Sequence, residues 1–281
     1  VNGGPPAGDV GLPALGAAGY EDSPAGAGAA GVARTWWDAN ADEYQAEHGD
    51  ALGDADFVWG PEGLREADAH LLGDLDDLAR ARVLEVGAGA AQCSRWLRGQ
   101  GVDVVATDLS GGMLATGRAL DTATGVAVPL VQADARALPF ANASFDVVFT
   151  SYGVIPFVPD ARTVHREVAR VLRPGGRWVF STSHPVRWAF PDDPGPDGLV
   201  ATRSYFDARA YVERADDGSP LYAEFHRTLA THVADVVACG FVVDALTEPE
   251  WSRGRGTWGG WSAQRGAVLP GTLVLGCRLA G

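Results

Sequence analysis

An open α/β fold, with a mainly parallel sheet and helices on both of its faces, is predicted by three features of the sequence. The first is a short apolar run, Arg82 to Val86, that enters two glycines two residues apart, Gly87 and Gly89, and passes at once into a helical pattern from Gln92 to Leu97. That is strand, tight turn and helix, the opening unit of a sheet that lays a ligand across the turn. The second is a strand–helix alternation that continues to Ser183. The third is an acid just beyond each of the next two strands, Asp108 and Asp134.

Taken in order, residues 1–33 are dominated by Gly, Ala and Pro without helical or alternating period, and are expected to form a flexible tail. Residues 34–81 then form a helical cap. In its first part Trp36, Trp37, Tyr44 and His48 fall at roughly helical spacing. Two readings of that stripe stand side by side: aromatics packed on the core, or a cap over a ligand cleft. After a turn at Phe57–Gly63, Pro61 and Glu62 suit a helix start, and a helix is expected from Glu62 to Ala81.

The strand at Arg82–Val86 opens the sheet. Glycine at 87 and 89 lets the backbone bend sharply and come close to a ligand with no Cβ between. A second strand, Gly101 to Asp108, ends in an acid 21 residues beyond Gly87, the distance at which nucleotide-binding α/β units hold ribose hydroxyls. A helix follows over Met113–Leu120, then a third strand over Val126–Ala135 and a fourth over Ala143–Gly153. A helix from Asp160 to Leu172 stops at Arg173-Pro174-Gly175-Gly176, and Trp178–Ser183 is the fifth strand.

Residues 184–226 break the pattern. Pro185 and Pro220 bracket a stretch rich in prolines, tyrosines and charges, with strand-like pieces at Arg203–Phe206 and Leu221–Phe225. So much irregular chain usually builds a lid or binding wall. A helix at Arg227–Cys239 and two strands, Phe241–Leu246 and Gly271–Leu279, complete seven strands, the last antiparallel.

The formal charge of −14 over 281 residues, with few and scattered basic residues, argues against nucleic-acid binding and for a small neutral or cationic partner. No run reaches the ~18 apolar residues of a membrane span. The first residues lack the basic and apolar regions of a secretion signal, so a cytoplasmic protein is expected. Cys93, Cys239 and Cys277 show no metal or redox spacing and read as small hydrophobes, with no metal site implied.

Five motifs in order carry a family resemblance: Glu85–Gly89, Asp108–Leu114, Ala133–Phe140, Phe145–Val148 and Val171–Gly176. Over roughly Val83 to Ser183 the chain resembles class I S-adenosylmethionine-dependent methyltransferases, closest to the ubiquinone/menaquinone-methyltransferase-like group. The resemblance implies a Rossmann-like seven-stranded fold and S-adenosyl-L-methionine as cofactor. It places Glu85 toward the cofactor's ammonium and Gly87, Ala88 and Gly89 beneath it. Asp108 falls at the ribose, Leu109 and Met113 beside the adenine, and Asp134 with the Ala135 amide at the adenine edge. Ser151 lies under the methyl group and tail. Tyr44 and Trp59 join this cofactor-binding set. The family often has a third glycine where this chain has Ala91, whose methyl is tolerable if the turn keeps φ negative.

A dinucleotide oxidoreductase would need glycine at position 92, where Gln92 stands, and leaves Asp134 unexplained. A cofactor-binding regulatory protein without turnover is the other alternative. For the acceptor, Thr150-Ser151-Tyr152-Gly153 lacks the box of nucleobase-amino methylases, and no acids at that edge suit a Mg²⁺-assisted catechol methylase. A small-molecule acceptor, methylated on O, N or C, is left. His184, directly after the fifth strand, is the first candidate base, with Tyr152 as a hydrogen-bonding partner and His226 as a second histidine. Several of Trp59, Trp188, Tyr205, Phe206, Trp251, Trp258 and Trp261 are expected to line an apolar acceptor pocket or to hold the cationic sulfonium on their ring faces, and the others to be core.

Overall fold

A computed structural model of the chain describes residues 12–22 and 28–281. The sheet is built by β2 (Arg82–Val86), β3 (Asp103–Asp108), β4 (Leu130–Gln132), β5 (Phe145–Thr150), β6 (Leu172–Ser183), β9 (Phe241–Thr247) and β10 (Thr272–Leu279). Their order is β4-β3-β2-β5-β6-β10-β9, with β10 alone antiparallel to its neighbours. From β2 the chain moves outward through β3 and β4, then returns to place β5 on the other side. The crevice at the carboxyl ends of β2 and β5 is therefore the topological switch point, where open α/β sheets bind ligands.

The sequence explains the sheet's depth. Val83, Leu84 and Val86 on β2, and Val104, Val105 and Ala106 on β3, are all buried, the continuous apolar run of strands covered on both faces. One face packs against α6 (Ala161–Val171) and α7 (Leu229–Ala238), with Trp178, Phe180 and Phe145 in that core. The other packs under α4 (Gln92–Gly99) and the segment that carries Phe57, Trp59, Leu72 and Leu78.

Above the carboxyl edge lies α1 (Ala29–Leu52), in contact with α5 (Gly111–Thr124) and with a second, three-stranded sheet. That small sheet has the order β1-β7-β8, from β1 (Leu15–Glu21), β7 (Ala210–Ala215) and β8 (Pro220–Glu224).

Four local expectations are corrected. Of the expected flexible tail, residues 15–21 form a strand and α1 begins at Ala29; residues 1–11 and 23–27 lie outside the described residues. The strand forms because its partner is β7, where Glu21 pairs with Arg214 at 2.6 Å and Tyr20 packs edge-on to Tyr211. The expected helix 62–81 is only two short turns, α2 (Glu66–Ala69) and α3 (Leu75–Leu78). Glu66 stops it, because its carboxylate accepts the amides of Leu71 and Leu72 and the indole N–H of Trp59, while His70 is left-handed at φ 49°. Arg203–Phe206 is not a strand; the hairpin of β7 and β8 lies further on. The third strand is only Leu130–Gln132. Among the described residues, no helix is long and apolar enough to cross a membrane.

Candidate active site

A cavity of about 550 Å³ opens at the switch point. Its floor is the turn after β2. Gly87 has φ 68° and Gly89 φ 56°, and a Cβ on Gly87 would lie 2.2 Å from Val154 Cγ2. That position needs glycine both for its left-handed backbone and for the approach of the loop after β5. Ala91 is left-handed too, at φ 61°, so the condition of a negative φ is not met. Its methyl is fully buried against Ala88, Ala106 and Val128 and does not line the cavity, so it crowds nothing there.

The acids are organised around this turn. Asp108 accepts the amides of Gly89 and Ser110, each at 2.8 Å, one on each oxygen. A carboxylate oxygen has two lone pairs, so each retains one for a ligand. Burial raises the Asp108 pKa to about 6, against the amides that lower it. Glu85 is 2% exposed, accepts from the Ser94 amide and hydroxyl, and is raised to about 7, first by burial. Neither makes an ion pair with a basic side chain. Asp134 differs. Burial raises its pKa, but the Arg136 fork, with Nη2 at 2.7 Å, overrides that and holds it below the usual range. Arg136 was not foreseen; its i+2 spacing from Asp134 was the available signal.

The other cavity-lining members of the expected set are Gly87, Ala88, Gly89, Leu109, Met113, Ala135, Ser151, Tyr152 and Tyr44. Ser151 donates its hydroxyl to the Val58 carbonyl at 2.7 Å, tying β5 to the segment before α2. Tyr152 sits at φ 61°, its amide donating to Ser181 Oγ, and its ring faces the cavity.

Three expected site residues are elsewhere. Trp59 is fully buried beneath the sheet, against Phe57 and Phe149, while its neighbours Val58 and Gly60 line the cavity. His184 does not line the cavity either. Its Nδ1 accepts the Val186 amide, so neutral His184 carries its proton on Nε2 and donates it to Glu248 at 2.7 Å. With both nitrogens engaged and the ring buried, it caps the 3₁₀ turn Pro185–Ala189 and is not a base for the cavity. His226 bonds the Tyr205 carbonyl and is likewise outside.

The roof is α1. Trp36, Trp37, Asn40, Glu43, Tyr44 and His48 project from one stripe into the cavity, which resolves the two readings in favour of the cap. Asp38 fixes that helix by accepting from Ser110 Oγ and from the Gly112 amide at the start of α5. Gly112 permits the contact, since a Cβ there would lie 2.8 Å from the Asp38 carbonyl oxygen. At the far end, sequence reading missed Tyr222 and Glu224, which share one face of β8 through the strand's two-residue period.

Residues 84–180 match the family model described as a methyltransferase domain. A demethylmenaquinone methyltransferase from Mycolicibacterium vanbaalenii is 46% identical over 104 residues, 36% of this chain. The chain spans less than half of that relative, 42% of its length. Among solved structures, an S-adenosylmethionine-dependent methyltransferase from Mesorhizobium loti is similar with a TM-score of 0.55 and 25% identity, over 78% of this chain and 100% of its own. A Burkholderia thailandensis 1,6-didemethyltoxoflavin-N1-methyltransferase, solved with S-adenosylhomocysteine, shares the fold with a TM-score of 0.60 at 21% identity, over 94% of this chain and 95% of its own. Residues 84–180 thus match a methyltransferase domain, within a fold shared with S-adenosylmethionine-dependent methyltransferases of known structure.

Proposed function

We propose that the protein binds S-adenosylmethionine in the cavity and transfers its methyl group to a small organic acceptor. The carrying observation is the donor set. The lining holds Glu43, Glu47, Asp56, Glu85, Asp108, Asp134 and Glu224 against one basic side chain, Arg136, already paired. Such a surface suits a ligand with a sulfonium and an ammonium group, and repels the pyrophosphate of a dinucleotide. Glu85 would face the ammonium, Asp108 the ribose hydroxyls, and Leu109 and Met113 the adenine. Asp134 would read the adenine edge by sharing its carboxylate with Arg136. When bound, the cofactor supplies an activated methyl group on sulfur, with a neutral thioether as leaving group. The residues around it then have to align the acceptor and exclude water, as α1 is built to do. The name of the curated relative, a demethylmenaquinone methyltransferase, favours a small acceptor over a macromolecule.

Calorimetric titration with S-adenosylhomocysteine tests the cofactor assignment. Asp108→Ala removes a charged hydrogen-bond acceptor, worth about 1.5–3 kcal/mol, so affinity is expected to fall roughly 10- to 100-fold. Unchanged binding would sink the ribose role.

The same titration has a pH dependence of fixed sign. Asp108 and Glu85 have folded-state pKa values raised to about 6 and about 7, so the free fold retains protons that the unfolded chain has lost. Their ionisation therefore weakens the free fold as pH rises from about 4 through 7. An ammonium beside Glu85 and hydroxyl donors on Asp108 both favour the ionised acids, so cofactor binding releases protons. Affinity for S-adenosylhomocysteine is expected to tighten from pH 5 to 7, by up to about tenfold per unit for each proton released. A flat profile over that range would count against Glu85 as the partner of the ammonium and against ionised Asp108 as the acceptor of the ribose hydroxyls.

A further inference from the structure

Where α1 meets β8, four aromatic rings close a circuit. Trp36 meets Trp37 at 4.7 Å between centroids and Trp37 meets Phe157 at 5.5 Å; Phe157 meets Tyr222 at 5.9 Å and Tyr222 meets Trp36 at 4.9 Å. All four line the cavity, and they come from three separate parts of the chain: α1, the 3₁₀ turn Ile155–Phe157 after β5, and β8. Such faces and edges favour a flat, apolar body over a flexible polar one.

The polar groups at this end have a defined sense. Tyr222 donates its hydroxyl proton to Glu224 Oε1. Its phenol oxygen therefore offers the cavity lone pairs only. Glu224 Oε2 accepts from Arg187 at 3.1 Å, and Arg187 also pairs with Asp192 at 3.2 Å. Glu224 is thus an anchored carboxylate at the cavity wall, with the Tyr222 hydroxyl on one of its oxygens. Tyr152 is arranged the other way. Its oxygen accepts a long bond from Ser183 Oγ at 3.4 Å, which leaves its own proton free to be donated. The wall as a whole accepts a proton at Tyr222 and presents a donor at Tyr152.

Resting on the cofactor reading above, we propose that the acceptor is a flat aromatic molecule bearing an O–H or N–H. In this proposal Tyr222 and Glu224 form the relay that takes its proton. The acceptor's proton passes to Tyr222 Oη as the Tyr222 proton passes to Glu224. The electron pair so freed on the acceptor makes the new bond to the methyl carbon, and the carbon–sulfur pair stays on sulfur. Glu224 ends as a neutral acid, the sulfonium charge is gone, and the acceptor is uncharged before and after. The relay fills the role that His184 cannot, because that histidine has both ring nitrogens engaged outside the cavity.

The test uses 2-naphthol, indole and naphthalene as probes, titrated into the full chain loaded with S-adenosylhomocysteine and followed by isothermal titration calorimetry. Wild type, Tyr222→Phe and Glu224→Gln are compared. Phenylalanine preserves the ring circuit, so Tyr222→Phe isolates the hydroxyl even if Glu224→Gln, which leaves Arg187 with one carboxylate fewer, folds poorly. The expected result is binding of 2-naphthol or indole at least tenfold tighter than naphthalene. That preference should collapse to within about threefold in Tyr222→Phe, while naphthalene binding and S-adenosylhomocysteine affinity hold. Equal binding of all three probes, an undiminished preference in Tyr222→Phe, or no saturable binding of any probe to the loaded protein would overturn the proposal. Failure of the wild type to bind S-adenosylhomocysteine would instead overturn the cofactor reading, and is scored separately.

Discussion

Replacing Gly87 by alanine is expected to remove about 3 kcal/mol of stability, with loss of cofactor binding at temperatures where the fold survives. Two costs add. A non-glycine residue held at φ 68° carries about 1–2 kcal/mol of left-handed strain. The new methyl would also meet Val154 Cγ2 at 2.2 Å, and overpacking of this kind costs about 1–3 kcal/mol. Val154 has little room to yield, because it is a β-branched residue already at φ 58° and ψ −65°. A double-mutant cycle separates the two. Val154→Ala removes the clashing carbon but not the backbone strain, so Gly87→Ala should cost about 1–2 kcal/mol in that background. Thermal or urea unfolding reads both numbers. A Gly87→Ala protein within 1 kcal/mol of wild type would mean that the turn and the loop after β5 move apart freely.

Arg95→Ala is expected to be worse, at about 3–5 kcal/mol, the cost of breaking a buried charge pair from one side. The guanidinium is 0% exposed, pairs with Asp121 at 2.9 Å, and donates to the carbonyls of Ala90, Gly117 and Asp54. It therefore ties the floor turn, α5 and the end of the roof segment to one point. If the ion pair alone mattered, Arg95→Met with Asp121→Leu would be close to neutral. Here three carbonyls lose their donor, so the double variant should stay destabilised by about 2 kcal/mol or more. Full recovery of the melting temperature in that variant would show that the carbonyl bonds are dispensable.

The parts that the sequence made legible are those where a residue's surroundings follow from its near neighbours. Val83, Leu84 and Val86 read as a doubly covered strand because the run itself is apolar. Gly87 and Gly89 read as a turn because no other residue type sits easily there. Asp108 was found by its distance from that turn. What stayed hidden depends on partners far along the chain. β1 looks like a tail until Ala210–Ala215 is available to pair with it. His184 looks like a base until Glu248 occupies one nitrogen. Trp59 went wrong by parity alone: in an extended segment, its neighbours Val58 and Gly60 line the cavity and Trp59 faces the core. Tyr222 and Glu224 carry no motif, and only the circuit of rings around them marks their end of the cavity.

The position of α1 has a thermodynamic consequence. Its stripe supplies wall to both ends of the cavity, Tyr44 near Met113 on one side and Trp36 against Tyr222 on the other. A ligand seated at either end restrains the same helix, so ordering entropy spent by the first ligand is not spent again by the second. Such coupling is positive, and linkage makes it reciprocal: the acceptor tightens the cofactor by the factor with which the cofactor tightens the acceptor. The ratio of cofactor Kd values with and without a saturating aromatic probe measures that factor, and a ratio of one would mean that the helix is equally ordered throughout.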